Sequence, residues 1–538
     1  MGLEQPMSGS VVFPKYPLRI VTGSIMASID RQAIEARGIS GLYLMERAGE
    51  AIANGLLARF SRPDLIRTAI VCGKGNNGGD GYVVARRLAE LGLEPIVATI
   101  GSGKELKGDA RINFDQFRQQ GIVIRECLTS SDLDEWMSAT SGSRVFVDAI
   151  LGTGVRGAPR GLIAESITAL NRCAKRKHIV SVDISSGVEA NTGNVEGEAI
   201  KADEVVTMGL PKVGHVLPPG LNYYNKLIIA DIGFPLDLLH TVEAEAELLT
   251  ERLISPWLPP RNLSAHKGSE GHLLILAGSR GMTGAALLCA KAAIVTGVGL
   301  VTTVCPKSLL PIYAGGVWEM LTLPAEETPE GSLDENTWEL LTNGTIRFSA
   351  VVVGPGLSRH PSTAALVRKV VCEIEKPVLI DGDGLSAVTP VLLAERKHPW
   401  IATPHPGEMA RLFQTDVPTI QANRWDYAKR LAGSKSGVVV LKGAKTAIAS
   451  PRATLYVNPT GNPAMASGGM GDVLAGMIGA LLAKGIDPIP AAASGVYLHG
   501  LAADLLVEET GAEAVAASQV IGKIQPALCR IRKTGNRE

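Results

Sequence analysis

Two glycine-rich strings hold the polar groups that chemistry would need. The first, Val71-Cys72-Gly73-Lys74-Gly75-Asn76-Asn77-Gly78-Gly79-Asp80-Gly81, lies between a β-branched run and a helical pattern. Backbone N–H groups at a strand–helix junction face outward, and the helix dipole favours an anion there. A phosphate-bearing ligand is the expected tenant. Gly73, Gly75 and Gly78 formally match G-x-G-x-x-G, yet Ala98-Thr99-Ile100-Gly101 stands where the acid of a dinucleotide fingerprint is expected. No Gly-Lys-Ser/Thr closes the loop either, and an ordinary tight turn is the competing reading. Two acidic strand ends accompany it. Asp148 leads into Ala149-Ile150-Leu151-Gly152-Thr153-Gly154-Val155-Arg156-Gly157, and Asp183 leads into Ile184-Ser185-Ser186-Gly187-Val188. A lone Asp at a strand end is more often a helix cap. Two of them beside a phosphate loop predict one crevice at the carboxyl ends of parallel strands.

The second string, Gly468-Gly469-Met470-Gly471-Asp472-Val473-Leu474, precedes an apolar helix. Its amides can form an anion hole for a phosphoryl group in transit. Asp472, in the first turn, is placed to take a proton from a substrate hydroxyl. The bland alternative is an acid favoured by the helix dipole, but three glycines around one Asp exceed what capping needs. Lys442-Gly443-Ala444-Lys445-Thr446 follows the run Val438–Leu441 and offers cations and amides to a nucleotide tail, or forms a solvated turn. Thr403-Pro404-His405-Pro406-Gly407-Glu408 holds its histidine between two prolines. Nine His occur, none at metal-ligand spacing.

These strings need a scaffold that alternates strand and helix. Strand patterns fall near Thr68–Cys72, Pro95–Thr99, Arg144–Asp148, His178–Asp183, Glu204–Met208 and Leu227–Asp231. A helix is expected over Leu42–Leu57, with Leu44, Ala48, Ala51, Ile52 and Gly55 on one face. A second series runs through His272–Ala277, Leu300–Val304, Ala350–Val353, Pro377–Asp381, Trp400–Thr403 and Val438–Leu441. It ends in helices over Met470–Ala483, Pro490–Leu506 and Ala514–Ile531. Such alternation predicts α/β architecture with parallel sheets covered on both faces. The expected domains are residues 1–235 and 262–538, joined by a linker over 236–261 with an acidic helical segment.

The composition fits. A chain of 538 residues is too long for one core. Lys+Arg and Asp+Glu both total 53, so bulk attraction to nucleic acid or to an anionic membrane is not expected. Seven widely spaced Cys without C-x-x-C read as reduced core thiols. The N-terminal stretch has no apolar h-region, and Ala285 to Cys305 reads as a buried helix followed by a strand. A cytoplasmic setting is expected.

The strings GNNGGDG, DAILGTG, DISSGV and ADEVVTMGLPKVGH, in that order over roughly residues 20–235, resemble the YjeF N-terminal family, the NAD(P)H-hydrate epimerases. The resemblance implies that Asn76, Asn77, Gly78, Gly79 and Asp80 bind the hydrated nucleotide, together with Gly152, Thr153, Gly154, Val155, Arg156, Gly157 and Ala158. It implies potassium on Asn77, Asp148 and Ser186, and Asp183 facing the reacting ring. HKGSEGHLLILAGSRGMTGAALLCAKAA, VVVGPGL, TPHPGEM, LKGAKT and SGGMGDVLAG, over roughly 262–530, resemble the YjeF C-terminal family within the ribokinase-like superfamily, the ADP-dependent NAD(P)H-hydrate dehydratases. That implies substrate contacts from Ala286, Gly356, His405 and Asp472. It also implies ADP contacts from Lys442, Gly443, Ala444, Lys445, Thr446 and Gly471. The family's DADALN stands here as Asp381-Gly382-Asp383-Gly384-Leu385-Ser386, which leaves the roles of Asp381 and Asp383 open.

Together the resemblances imply two doubly wound domains, a Rossmann-like three-layer sandwich followed by a ribokinase-like fold. They imply a catalytic Asp183 in the first and a catalytic Asp472 in the second. Hydrated NADH and NADPH carry a hydroxyl at C6 of the ring. The first half would interconvert its R and S forms. The second would move a phosphoryl group from ADP, with magnesium, to the S hydroxyl; elimination pushed by the ring nitrogen would then yield NAD(P)H, AMP and phosphate. A homo-oligomer is expected. The competing readings are a vitamin kinase for the second half and a non-catalytic scaffold for the first.

Overall fold

The computed structural model describes residues 16–535 apart from 175–176, 345–346, 434–435 and 452–453. The chain divides into two compact units, Met1–Glu247 and Leu248–Glu538.

The first unit is built on seven parallel strands: β1 (Ala69–Cys72), β2 (Ile96–Ile100), β3 (Ile124–Cys127), β4 (Val145–Ala149), β5 (His178–Val182), β6 (Ala202–Met208) and β7 (Tyr224–Ala230). Their order is β3-β2-β1-β4-β5-β6-β7. The chain winds one way from β1 and then the other, so a crevice opens where β1 and β4 lie side by side. Both strands are buried along their whole length, and Val71 pairs with Asp148. The glycine-rich loop after β1 enters helix α1 (Asn76–Glu90), with Gly75 as its N-cap. Its backbone lies directly on neighbouring backbone. A Cβ on Gly78 would stand 2.0 Å from the Gly73 carbonyl oxygen, and one on Gly73 would stand 1.9 Å from that of Ile150. Only glycine fits both positions.

The second unit carries β8 (His272–Leu276), β9 (Leu300–Pro306), β10 (Leu321–Ala325), β11 (Ala350–Val353), β12 (Val378–Ile380), β13 (Trp400–Ala402), β14 (Gly437–Leu441), β15 (Ala447–Ala449) and β16 (Tyr456–Val457). They lie in the order β16-β15-β14-β13-β12-β11-β8-β9-β10. All neighbours run parallel except at β14–β15 and β15–β16. Here the order reverses between β8 and β11. Helices α2 (Thr283–Thr296), α3 (Met470–Ala483) and α4 (Pro488–Thr510) build the core behind the sheet. Beyond Asp472, α3 is apolar all round, as an enclosed helix must be. It packs tightly on α2, with Gly476 against the Cys289 carbonyl. α4 is long and apolar enough to cross a bilayer, but 78% of the qualifying window is buried inside the unit, so it serves as a core helix.

Most expected strands and helices form within two residues of their predicted ends, and Ala285 to Cys305 is indeed a helix followed by a strand. The structure adds β3, β10, β15 and β16. β3 (Ile-Arg-Glu-Cys) and β10 are edge strands, where one side faces water and the apolar alternation is weak. The helix expected over Ala514–Ile531 is two, Ala517–Ile521 and Ile524–Gly535, broken at Gly522. The stretch 236–261 holds a short helix, Leu236–Thr241, but the acidic run Glu243, Glu245 and Glu247 expected to be helical lies outside it. It also holds a strand, Ala246–Leu248, and a second helix, Glu251–Ile254, whose Glu251 pairs with Arg530 at 2.8 Å.

Candidate active sites

In the first unit, Asp183 follows β5 with φ +66°, a left-handed conformation unusual for a residue with a side chain. Two groups from one loop hold it there. The Lys212 ammonium, almost fully buried, donates to Asp183 Oδ1 at 2.6 Å, to Thr207 Oγ1 at 2.7 Å and to the Met208 carbonyl at 3.2 Å. Thr207 Oγ1 also donates to Asp183 Oδ1 at 3.0 Å. His215 Nδ1 accepts the Lys212 backbone N–H at 3.0 Å, so its proton sits on Nε2, which donates to the Asp183 carbonyl at 3.0 Å. Burial, with Lys212 beside it, pushes His215 down to about 3, so the ring is neutral. Burial alone would raise the Asp183 carboxyl; Lys212 outweighs it and holds the group below the ordinary carboxylate range. Across the crevice, burial and the nearby Asp183 and Asp30 hold Asp80 well above that range. One crevice thus holds two carboxyls shifted in opposite directions, the pairing that acid–base chemistry uses. Lys212 and His215 lie in the motif string GLPKVGH but stand out by neither spacing nor glycine context.

Asp148 is fully buried at the end of β4. It accepts Ser186 Oγ at 2.6 Å, Ser181 Oγ at 2.7 Å, Ser186 N–H at 3.0 Å and Ile150 N–H at 3.2 Å. Burial still raises it, and no cationic side chain figures among the groups acting on it. Asn77 is buried next to Gly152, and its Nδ2 has no partner among the described residues. Ser186 Oγ accepts the Leu151 N–H at 2.9 Å. Asn77, Asp148 and Ser186 therefore converge on the turn Ile150–Gly152. An oxygen-bearing set around a buried, unneutralised carboxylate has the chemistry a monovalent cation requires. Asn76, Asn77, Gly78, Gly79 and Asp80 form the start of α1, and Gly152 to Ala158 form the largely exposed loop after β4. The β1/β4 reversal brings both to the same crevice.

In the second unit a cavity of about 510 Å³ opens at the β8/β11 reversal. Asp472, His405, Glu408, Asp383, Arg359, Gly356 and the start of α2 line it. Gly469, with φ +86°, starts α3 and turns its amides outward; a Cβ there would meet Leu288 at 2.6 Å. Burial, with Asp381 nearby, pushes Asp472 up to about 7. His405 caps the helix Pro406–Leu412: its Nδ1 accepts the Gly407 and Glu408 N–H groups at 3.0 and 3.3 Å, and Glu408 Oε2 accepts the His405 N–H at 2.7 Å. The ring is therefore fixed, as the flanking prolines predict. Ala286 is fully buried in the core, and its neighbours Met282, Gly284, Ala285 and Leu288 form the wall instead.

Lys442 turns to the reaction centre. Its Nζ lies 2.7 Å from Asp381 Oδ1 and 3.8 Å from Glu408 Oε2, and a Cβ on Gly471 would stand 3.3 Å from it. Burial opposes its charge, but Asp381 and Glu408 keep it firmly protonated. Thr403 Oγ1 donates to the same Asp381 oxygen at 2.6 Å. Asp381 thus anchors Lys442. Asp383 instead accepts the Ser358 N–H at 3.1 Å and Arg359 Nε at 3.0 Å, bracing a wall of the cavity. Within the loop, Lys445 Nζ donates to the Pro459 carbonyl at 3.2 Å, and Thr446 Oγ1 donates to that of Gly443 at 2.8 Å. The buried Arg424, missed in the sequence, holds the Leu441 and Lys442 carbonyls at 3.2 Å each. Among the described residues, no group of three or more His, Cys, Asp or Glu is arranged to hold a metal ion.

These features define a two-unit α/β protein with a mainly parallel sheet at the heart of each site. Each unit has a glycine-capped helix start and a perturbed carboxyl at its own topological switch. Residues 41–214 match the YjeF-related protein N-terminus family, and residues 273–526 match the NAD(P)H-hydrate dehydratase family. Relatives described as bifunctional NAD(P)H-hydrate repair enzyme Nnr span nearly the whole chain. The protein of Moorella thermoacetica is 39% identical over 93% of this chain and 95% of its own, and that of Escherichia coli is 35% identical over 92% and 91%. The crystal structure of an ADP/ATP-dependent NAD(P)H-hydrate dehydratase from Bacillus subtilis, co-crystallised with ATP/Mg2+, is 33% identical and covers 54% of this chain and 100% of that one, with a TM-score of 0.47. The chain belongs to the bifunctional NAD(P)H-hydrate repair enzyme family.

Proposed function

We propose that this chain repairs hydrated NADH and NADPH at two separate sites. The first unit epimerises the C6 hydroxyl, and the second dehydrates the S form at the expense of ADP. The observation that carries the reading is the pair of switch-point crevices, one holding Asp183 and the other Asp472, whose carboxyls are shifted in opposite directions. In the first crevice Asn76 to Asp80 and Gly152 to Ala158 receive the nucleotide. Asn77, Asp148 and Ser186 would hold potassium, whose charge would neutralise Asp148 and orient an oxygen of the substrate.

In the second, the amides of Gly469 to Gly471 and the Lys442 ammonium face the phosphoryl group in transit. Asp472, with its proton affinity near neutrality, takes the proton of the C6 hydroxyl as the β-phosphoryl group of ADP is transferred and AMP departs. The ring nitrogen then expels phosphate, and loss of the C5 proton restores the dihydropyridine. Lys442 to Thr446 and Gly471 contact ADP, and Gly356 and His405 contact the hydrate. Magnesium would be carried on the nucleotide phosphates, as this ion commonly is.

The test is to supply purified protein with mixed hydrate epimers and equal concentrations of ADP or ATP, following recovery of the reduced-ring absorbance. ADP should support much faster repair. A clear ATP preference, or a phosphorylated product without recovery of absorbance, would overturn the assignment in favour of a kinase.

A further inference from the structure

The loop after β6 does more than close the first crevice. It grips Asp183 at both ends. Lys212 Nζ takes Asp183 Oδ1, Thr207 Oγ1 and the Met208 carbonyl, which uses all three of its donors. Asp183 Oδ2 takes no hydrogen bond from the described residues, so one oxygen is locked and the other is left for substrate. His215, at the end of the 3₁₀ turn Val213–His215, holds the Asp183 carbonyl, while Lys212 N–H fixes the tautomer that permits it. The loop is itself pinned from outside, since Val213 N–H donates to the Val21 carbonyl at 2.9 Å. A left-handed φ at a residue with a side chain is disfavoured and persists where the surroundings over-determine it. Here the surroundings are these two side chains.

We propose that Lys212 and His215 are the positioning residues of the epimerase site: Lys212 fixes the carboxyl of Asp183 with one oxygen free, and His215 fixes its strained backbone. This rests on the reading of Asp183 as the epimerase base. The charged and titratable groups facing Asp183 are Lys212, His215, Asp80 and Asp30. Of these, only Lys212 is a cation at neutral pH, since His215 is neutral. The two residues therefore act differently. Removing Lys212 unmasks the burial of Asp183 and the repulsion from Asp80 and Asp30, and its carboxyl must rise. Removing His215 releases the backbone and takes away an electrostatic contribution to Asp183 smaller than that of Lys212.

The experiment is a pH–rate profile of epimerisation in the full-length protein, with R and S hydrates resolved by chromatography. The variants are Lys212→Met, Lys212→Arg, His215→Phe and Asp183→Asn, each checked for a native thermal transition. Lys212→Met should move the acid limb up by about 1–3 pH units, the usual effect of one close opposite charge. Its kcat near neutrality should fall by about tenfold or more while KM changes little, and Lys212→Arg should return the limb toward its original position. His215→Phe should lower kcat while moving the limb much less than Lys212→Met does. A folded Lys212→Met enzyme with an unmoved acid limb overturns the role of Lys212, and a folded His215→Phe enzyme with full kcat overturns that of His215. Full epimerisation by Asp183→Asn would instead remove the reading on which both depend. Should Lys212→Met not fold, Lys212→Arg carries the test: a folded Arg variant that loses epimerisation while its acid limb stays put contradicts a charge-based role.

Discussion

Asp183 and Asp472 sit in opposite electrostatic settings. A buried ammonium holds the first below its ordinary range, whereas burial beside Asp381 pushes the second up to about 7. A base must be proton-free to act, so dehydration should climb as pH rises through about 7, while epimerisation keeps its base well into the acid range. At one pH unit below the Asp472 value, about a tenth of the enzyme retains the active form. The kcat/KM of dehydration, which reports the free enzyme, should fall accordingly while that of epimerisation does not. Parallel profiles between pH 5 and 8 would contradict the two settings. Both aspartates were legible in the sequence because glycines and strand ends surround them. Their partners were not. Lys442 reads as a nucleotide contact in Lys-Gly-Ala-Lys-Thr, yet its nearest acceptor, Asp381, is 61 positions away and is brought close only by the pairing of β12, β13 and β14. Lys212 likewise looks like a surface lysine until folding buries it.

The elements exist to bring loops to the two switch points, and their tightest constraint is backbone against backbone. Gly78→Ala places a methyl group 2.0 Å from a carbonyl oxygen that belongs to the same loop and cannot move independently. Overpacking of this kind costs about 1–3 kcal/mol, occasionally more. Epimerisation should drop at least tenfold, and a melting curve should show the first unit unfolding earlier, with dehydratase activity retained. A fully active Gly78→Ala enzyme would show that the loop is not held as described. Strands with strong β-branched runs, such as β11 with Val351-Val352-Val353 and the all-buried β14, could be read directly from pattern. The edge strands could not, because Ile124-Arg125-Glu126-Cys127 alternates charge and apolar character too weakly, and β15 and β16 are pairings of two or three residues that only tertiary context specifies.

At the scale of the whole molecule, the division into two compact units predicts two enzymes that work without each other. Fragments 1–247 and 248–538 should both be soluble, the first epimerising and the second dehydrating. The cut at 247 keeps Glu251 with its partner Arg530, a contact the sequence could not reveal. Insolubility of both fragments beside a soluble full chain would mean that the units depend on one another to fold. The account rests most heavily on the separation of the two chemistries, and one measurement addresses it: R and S hydrates followed separately by chromatography during ADP-dependent repair, in Asp472→Asn and in Asp183→Asn. Each substitution keeps the side chain's size and removes a base, which is typically worth about 10²–10⁴-fold. Asp472→Asn should slow loss of total hydrate by that order while R and S continue to interconvert. Asp183→Asn should repair S at the normal rate and leave R to its slow spontaneous conversion. If either folded variant loses both activities together, the two-site account is wrong.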